Sequence, residues 1–304
     1  MYNPERKQQY LLEVEQGNLA TITAYFKACE PIEEALDKDI SCFNAKEIVG
    51  YYKSLSTASR LYLSTINSQL SLYTSWCQNN DFLPDRQNHF NEITLDMLEE
   101  CVNSALITQQ YITRERLLQI INENQFVNVS TNFLILAIFE GIGGKNYSEI
   151  TNLYPEDFSG DEIVLSEYRH FPISKELKKL AIASANEYIF YQVNDGLGRQ
   201  RKFDLNDKRC YKLLEKNKVI NRDHILITLR LKRISNLFGY KFLQGHLLKE
   251  SGRIHLIKQL MKESGDSVEE CIRKNKDMLE MRYGNFQSMK SYYTKYKDVL
   301  ERGD

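Results

Sequence analysis

The 304-residue chain has no CxxC pair and no HExxH string, so the ligand spacings that build zinc sites are missing. Its six cysteines, Cys29, Cys42, Cys77, Cys101, Cys210 and Cys271, lie far apart. That distribution argues against a disulfide scaffold and suits reduced thiols in a cytosol. Glycine (14) and proline (5) are scarce, which leaves few points where a helix must stop. No apolar run reaches the roughly 18 residues needed to span a bilayer; the best candidate, residues 133–139, is too short. The start, MYNPERKQQY, has no basic stretch followed by an apolar one, so no secretory signal is expected. These absences exclude a membrane protein and a disulfide-stapled one, and they imply a cytoplasmic protein without metal or cofactor.

Hydrophobic residues at 42% and charged residues at 27% are the mix of a globular protein with a sizeable core, and the length fits two domains. The net charge of −1 hides an asymmetry. Residues 1–198 carry 15 Lys+Arg against 27 Asp+Glu, whereas residues 199–297 carry 24 against 11. Such polarity points to an anionic partner for the C-terminal third, with a basic face docked on the chain's own acidic half as the alternative.

Apolar spacing predicts a helix opening at Asn3 or Pro4 and stopping near Gly17, a second from about Thr21, and a short one over 45–53 capped by Asn44. Ser56 and Thr57 read as the cap of a long helix to about Gln78, with Leu63, Ile66, Leu70, Tyr73 and Trp76 at helical spacing. Four helices in residues 1–85 make a bundle. The polar string NNDFLPDRQNHFNE marks a boundary, giving a linker over 86–112 and a second domain over 113–304. There Thr113 starts a helix, Ser130 caps an apolar one, and residues 161–173 form the one β region, a hairpin about Ser166–His170. Helices are expected over 175–192, 209–216, 227–237, 247–262, 268–281 and 289–300. A basic loop carrying Arg199, Arg201 and Lys202 interrupts them. The fold class is mainly α in two domains.

Three strings carry a resemblance. TASRLYLSTINSQLSLYTSW, residues 57–76, resembles the last long helix of the core-binding domain of phage integrases and other tyrosine recombinases. FEGIGGKNYSEITNLYPEDF, residues 139–158, fits that family's glycine-terminated helix, with Gly141, Ser148, Glu149, Ile150, Leu153 and Asp157 in frame. GYKFLQGHLLKESGRIHLIKQL, residues 239–260, looks like its HxLR box, where His246, Leu248 and Ser251 match. The whole is similar to the integrase-like repressors of lysogeny in SPβ-type Bacillus phages. The resemblance implies an N-terminal core-binding bundle and a C-terminal catalytic-like domain closing on double-stranded DNA.

Family chemistry is attack of a tyrosine hydroxyl on a backbone phosphate, with two arginines clamping the non-bridging oxygens. Residue by residue, this chain departs from it. The first arginine's place is Asn146, beside Lys145; the second is Lys249, followed by Glu250 where a histidine is usual. Gly284-Asn285 replaces Gly-His or Gly-Trp, and the hairpin turn has no lysine. Tyr293 is the best-placed nucleophile, beside Tyr292 and Tyr296. Lysine supplies charge without the bidentate fork, so catalysis is expected to be lost, leaving Asn146, His246, Lys249, Asn285 and Tyr293 as degenerate positions. A divergent active integrase clamped by Lys145 and Lys249 is the alternative.

DNA contact is expected from Arg60, Lys145, Asn146, Arg199, Arg201, Lys202, Lys232, Arg233, Lys249 and Arg253. Lys249 and Arg253 are four apart and so share a helix face. The expected function is sequence-specific binding of double-stranded DNA by a transcriptional repressor controlling lysogeny. A second copy of the chain and an antagonist protein are compatible further partners.

Overall fold

Aromatic rings organise the N-terminal part of the chain. Tyr10, Phe26 and Tyr73 meet edge to face with centroids 4.9–6.0 Å apart, and each is contributed by a different helix of the periodic pattern. In a computed structural model, the protein is described over residues 1–13, 19–83, 87–123, 126–192, 199–212, 223–286 and 288–301. It divides into two units, Met1–Ile107 and Thr108–Asp304, and the described residues are mainly helical.

The first unit holds α1 (Pro4–Glu13), α2 (Leu19–Leu36), α3 (Ala45–Ser54), α4 (Arg60–Asn79), α5 (Leu95–Glu100) and α6 (Ser104–Gln110), the last running past the division. Asn44 caps α3 in a reciprocal box with Glu47. The long helix α4 starts later than its sequence suggests. Ser56 has a φ of +45°, and Ser59 is the residue whose hydroxyl accepts the Tyr62 N–H at 3.1 Å. Residues 87–112 of the expected linker carry short helices. Asn88 and Thr94 spend their side chains as caps, and Phe90, Leu98 and Cys101 enter the bundle core. Polar residues there punctuate short helices.

A buried ion pair ties α1 to this unit. Lys7 Nζ lies 2.6 Å from both carboxylate oxygens of Glu33, and both side chains are fully enclosed. Glu33 also accepts the Ile40 N–H at 2.8 Å. Burial pushes its carboxyl above the usual range, against the pull of Lys7.

In the second unit the organising element is α8 (Val129–Phe139), buried at every position from Ser130 to Phe139. A helix apolar all round must be surrounded. It packs between α10 (Lys175–Ala185) and α12 (Gly245–Ser264), with α7 (Arg114–Asn122) adding Leu117, Ile120 and Ile121 to the same core. After α8 comes a single helical turn, α9 (Ser148–Thr151). Then β1 (Phe158–Ser159), β2 (Glu162–Ser166) and β3 (Arg169–Pro172) form an antiparallel sheet in which Ile163 opposes Phe171. Those two face the core while Val164 and His170 face out, the period-2 alternation of a half-buried hairpin.

The helix expected over 175–192 ends at Ala185, where Asn186 closes it. Residues beyond it form a second antiparallel pair, β4 (Ile189–Gln192) with β5 (Arg199–Lys202). The basic partner strand RQRK hid this hairpin, having no apolar alternation to betray it. Of the helix expected over 209–216, residues 209–212 are non-helical and the rest lies outside the described residues. The remaining elements are α11 (Asp223–Phe238), α12, α13 (Val268–Lys274), α14 (Lys276–Tyr283) and α15 (Met289–Glu301). The single helix expected over 268–281 is broken at Asn275, whose side chain bonds back to the Cys271 carbonyl at 2.9 Å. No helix among the described residues is long and apolar enough to cross a membrane.

Removing one member of a buried pair strands the other's charge. Lys7→Met is therefore expected to lower stability in urea unfolding by about 3–5 kcal/mol, and Lys7→Met with Glu33→Gln to recover most of it. Equal loss in both variants would show that the ion pair is not what holds α1.

Candidate nucleic-acid interface

The loop leaving α8 is held by arginine from a distant part of the chain. Arg169, at the start of β3, donates from Nε to Glu149 Oε1 at 2.7 Å and from Nη2 to the Gly141 carbonyl at 2.7 Å and the Arg282 carbonyl at 3.2 Å. Glu149 in turn accepts the Gly143 N–H at 2.8 Å. Arg282 donates to the Glu140 carbonyl at 2.8 Å. Glu140 is buried, receives the Ser174 N–H and hydroxyl, and is pushed above the usual carboxylate range by burial. Gly141, at a φ of +98°, has no room for a side chain because a Cβ there would meet the Arg282 carbonyl at 2.7 Å.

Beyond this bracket the loop runs through two left-handed residues, Asn146 and Tyr147. Asparagine tolerates that conformation; for tyrosine it is a strained one that its surroundings must enforce. Tyr147 is held between Thr228 of α11 and the start of α12, where a Cβ on Gly245 would overlap its hydroxyl. Lys145 and Asn146 themselves are exposed. They sit in a short 3-10 turn ahead of α9.

On α12, Lys249 is half-buried and its ammonium lies against Gly284. Burial, then the neighbouring Arg253 charge, holds it below the ordinary lysine range. Partial desolvation and Lys295 likewise hold the His246 imidazole below its ordinary value, which leaves it neutral at pH 7. Asn285 is exposed.

Arg253 is turned inward. It is 4% exposed, with Nη2 donating to the Tyr283 and Gly284 carbonyls, both at 2.7 Å. Nη1 stands 3.4 Å from Glu250, and the guanidinium faces the rings of Phe286 at 4.6 Å and Tyr292 at 5.5 Å. Three polar atoms of this cluster, Arg253 Nε, Glu250 Oε2 and the Tyr292 hydroxyl, are buried with no hydrogen-bond partner among the described residues. Burial holds the Tyr292 phenol well above its ordinary pKa. Tyr293, next along α15, points the other way and donates to Glu301 at 3.0 Å, a bond that also raises its pKa.

The other expected contacts lie on the surface. Lys232 and Arg233 are exposed on α11, Lys202 is exposed on β5 and Arg201 is half-exposed beside it. Arg199 is placed on β5, its side chain outside the described residues. In the first unit, Arg60 stands at the start of α4 with its Nε 3.4 Å from Glu99. No group of three or more His, Cys, Asp or Glu able to hold a metal ion occurs among the described residues.

Two family models match the chain, the N-terminal core-binding domain of MrpR over residues 1–79 and the MrpR C-terminal catalytic domain over residues 111–300. The chain belongs to the MrpR family. It is also similar to the SPbeta prophage-derived uncharacterized protein YopR of Bacillus subtilis (strain 168), with 25% identity over 278 residues, spanning 87% of this chain and 84% of that protein.

In this MrpR-family chain, then, the second unit brings Lys249, Gly284, Arg169 and Glu149 into one neighbourhood. Arg253 departs from its expected place. The four-residue spacing does put Lys249 and Arg253 on one face of α12, both reaching Gly284, but Arg253 is buried there against Tyr283 and Phe286, so its charge is unavailable to a duplex. Sequence reasoning missed Arg169, which braces the loop from 20 to 28 residues away, and Arg282, which braces it from 142 residues away, and no local spacing signals such partners. Arg253→Ala is expected to lower stability in chemical denaturation by about 3–5 kcal/mol, because Glu250 is left buried and unpaired, while Lys249→Ala stays within about 1 kcal/mol. Equal losses would contradict the inward placement of Arg253.

Proposed function

We propose that this protein is a sequence-specific double-stranded DNA-binding protein, a phage transcriptional repressor controlling lysogeny from the host cytosol, whose recombinase-like site has lost strand transfer. One observation carries the loss of catalysis. The arginines nearest the site are consumed by the protein itself, Arg253 by two carbonyls and Arg169 by Glu149 and two more. The positions where the family resemblance expects free arginines hold Asn146 and Lys249. A developing phosphorane charge would find one half-buried lysine, which lacks the planar fork. Tyr292 fits the same reading, its hydroxyl enclosed with no hydrogen-bond partner among the described residues.

What supports duplex binding is the charge left outside. Exposed Lys145, Lys232, Arg233 and Lys202, half-exposed Arg201 and half-buried Lys249 supply phosphate contacts from the second unit, with Asn146 and, by its place in the sequence of the same strand, Arg199 beside them, and Arg60 of α4 as the contribution of the first. Phosphate contacts set affinity and its salt dependence, and base-edge contacts set sequence choice. Selection of bound fragments from a phage or host genome at about 50 and 200 mM salt should recover a discrete motif, with affinity falling steeply between the two. Recovery of nothing above background would overturn the reading. On a recovered fragment, Lys249→Glu is expected to weaken binding by about tenfold or more, and His246→Gln to leave it unchanged, since that imidazole is neutral at pH 7.

An active integrase is the second reading. It is favoured by the matched domain being described as catalytic and by the partial exposure of Tyr293.

A further inference from the structure

The second unit carries two small hairpins of opposite electrostatic character. The first, β2–β3, presents Glu162, Glu167, Tyr168 and His170 to solvent, and its one arginine, Arg169, is drawn into the interior by Glu149 and two carbonyls. A polyanion gains nothing there. The second hairpin, β4–β5, has RQRK as its outgoing strand. Lys202 is exposed, its ammonium 5.5 Å from the centre of the Tyr188 ring. Tyr188 and Tyr191 are themselves more than a third exposed.

Short exposed hairpins are marginal in water unless something holds them, and this one is bolted down at its base. The Asn128 side chain makes both hydrogen bonds of a strand partner to Tyr191, donating to its carbonyl at 2.9 Å and accepting its N–H at 2.7 Å. Glu187, just ahead of β4, accepts the Val129 and Ser130 N–H groups at 2.8 and 3.1 Å. It thereby caps α8, whose own N-cap residue makes no side-chain cap. Lys212 donates to the Glu187 carbonyl at 3.0 Å. Arg230 of α11 lies over Phe190 at 4.2 Å and over Tyr211 at 5.2 Å, and donates to Ser130 at 3.3 Å. Apart from Lys212, these anchors lead to α8 or α11, the most buried helix of the unit and the helix that carries Lys232 and Arg233. A strand pair that served only to connect two helices would not need its register fixed by a buried asparagine.

We propose that β4–β5 is a rigid arm that lays its cations and exposed tyrosines along the backbone of duplex DNA, and that Asn128, Glu187 and Arg230 are the positioning residues that aim it. The occupant is committed by charge complementarity, because phosphates match a strand bearing Arg199, Arg201 and Lys202 and an acidic peptide would not call for a fixed ribbon of this length. This rests on the DNA-binding reading above and assigns it a specific element, in place of the acidic hairpin β2–β3.

The test uses the full chain and a duplex recovered by the selection described above, with binding measured across a salt series. Arg201→Glu with Lys202→Glu should weaken binding by about tenfold or more and lower the slope of log affinity against log salt by about 2, one unit per lost phosphate contact. Glu167→Gln on the other hairpin should change neither. Asn128→Ala removes no charge and its residue is buried, so a merely structural asparagine would leave the salt slope alone. An aiming one lowers both slope and affinity, and adds little to the Arg201–Lys202 variant when combined with it. Ser267→Ala, which removes the cap of α13 instead, controls for lost stability and should keep the slope. If the parent chain binds no duplex, the DNA reading itself fails. If the parent binds and the Arg201–Lys202 variant binds equally with the same slope, the arm is wrong and the DNA reading stands.

Discussion

An arginine enclosed in protein must have its donors met, and the way Arg253 meets them organises the second unit. Its guanidinium closes on the carbonyls that end α14, which fixes the turn at Gly284 and hence the path into α15. The neighbouring Gly252 makes the complementary contact. A Cβ there would collide with the Phe139 carbonyl, so α12 can press directly on the end of α8. One pair of adjacent residues thus joins the central helix to the C-terminal helices. Arg169 and Arg282 do similar work on the loop after α8, replacing the hydrogen bonds that a helix end leaves unmade.

This division of labour among cations bears on function. Guanidinium groups that cross-link carbonyls inside a fold cannot also grip a phosphate that arrives from solvent. The chain holds a surplus of basic residues over 199–297, and the structure sorts them. Arg253, Arg282 and Arg209 are spent on carbonyls and carboxylates, while Lys202, Lys232 and Arg233 remain outside. On the proposed reading, a scaffold that once needed arginine for chemistry uses it for rigidity and leaves lysine-rich surfaces for affinity.

Much of the architecture was legible in the residues. Periodicity placed α3, α8, α11, α12 and α15 within a few residues of their observed bounds, and the start of α2, because each has a continuous apolar stripe or an all-apolar run. The family itself was legible from three strings whose order mattered more than their content. Much of what escaped involves side chains whose partners are far away in sequence. Glu187 caps a helix that begins 58 residues earlier, Asn128 substitutes for a β-strand neighbour, and Arg253 closes on carbonyls 30 and 31 residues away. The polar stretch after α4 misled for a related reason, since asparagine and threonine caps look the same in sequence as asparagine and threonine in a loop.

The most direct test of lost catalysis beside retained binding uses one preparation of the protein and a nicked duplex bearing the selected motif, run in parallel on native and denaturing gels. Retention of the duplex on the native gel with no protein–DNA adduct surviving denaturation is the result this account predicts. A covalent adduct that forms with the parent chain and disappears in Tyr293→Phe would contradict it, and would mean that Lys249 performs the work of an arginine clamp.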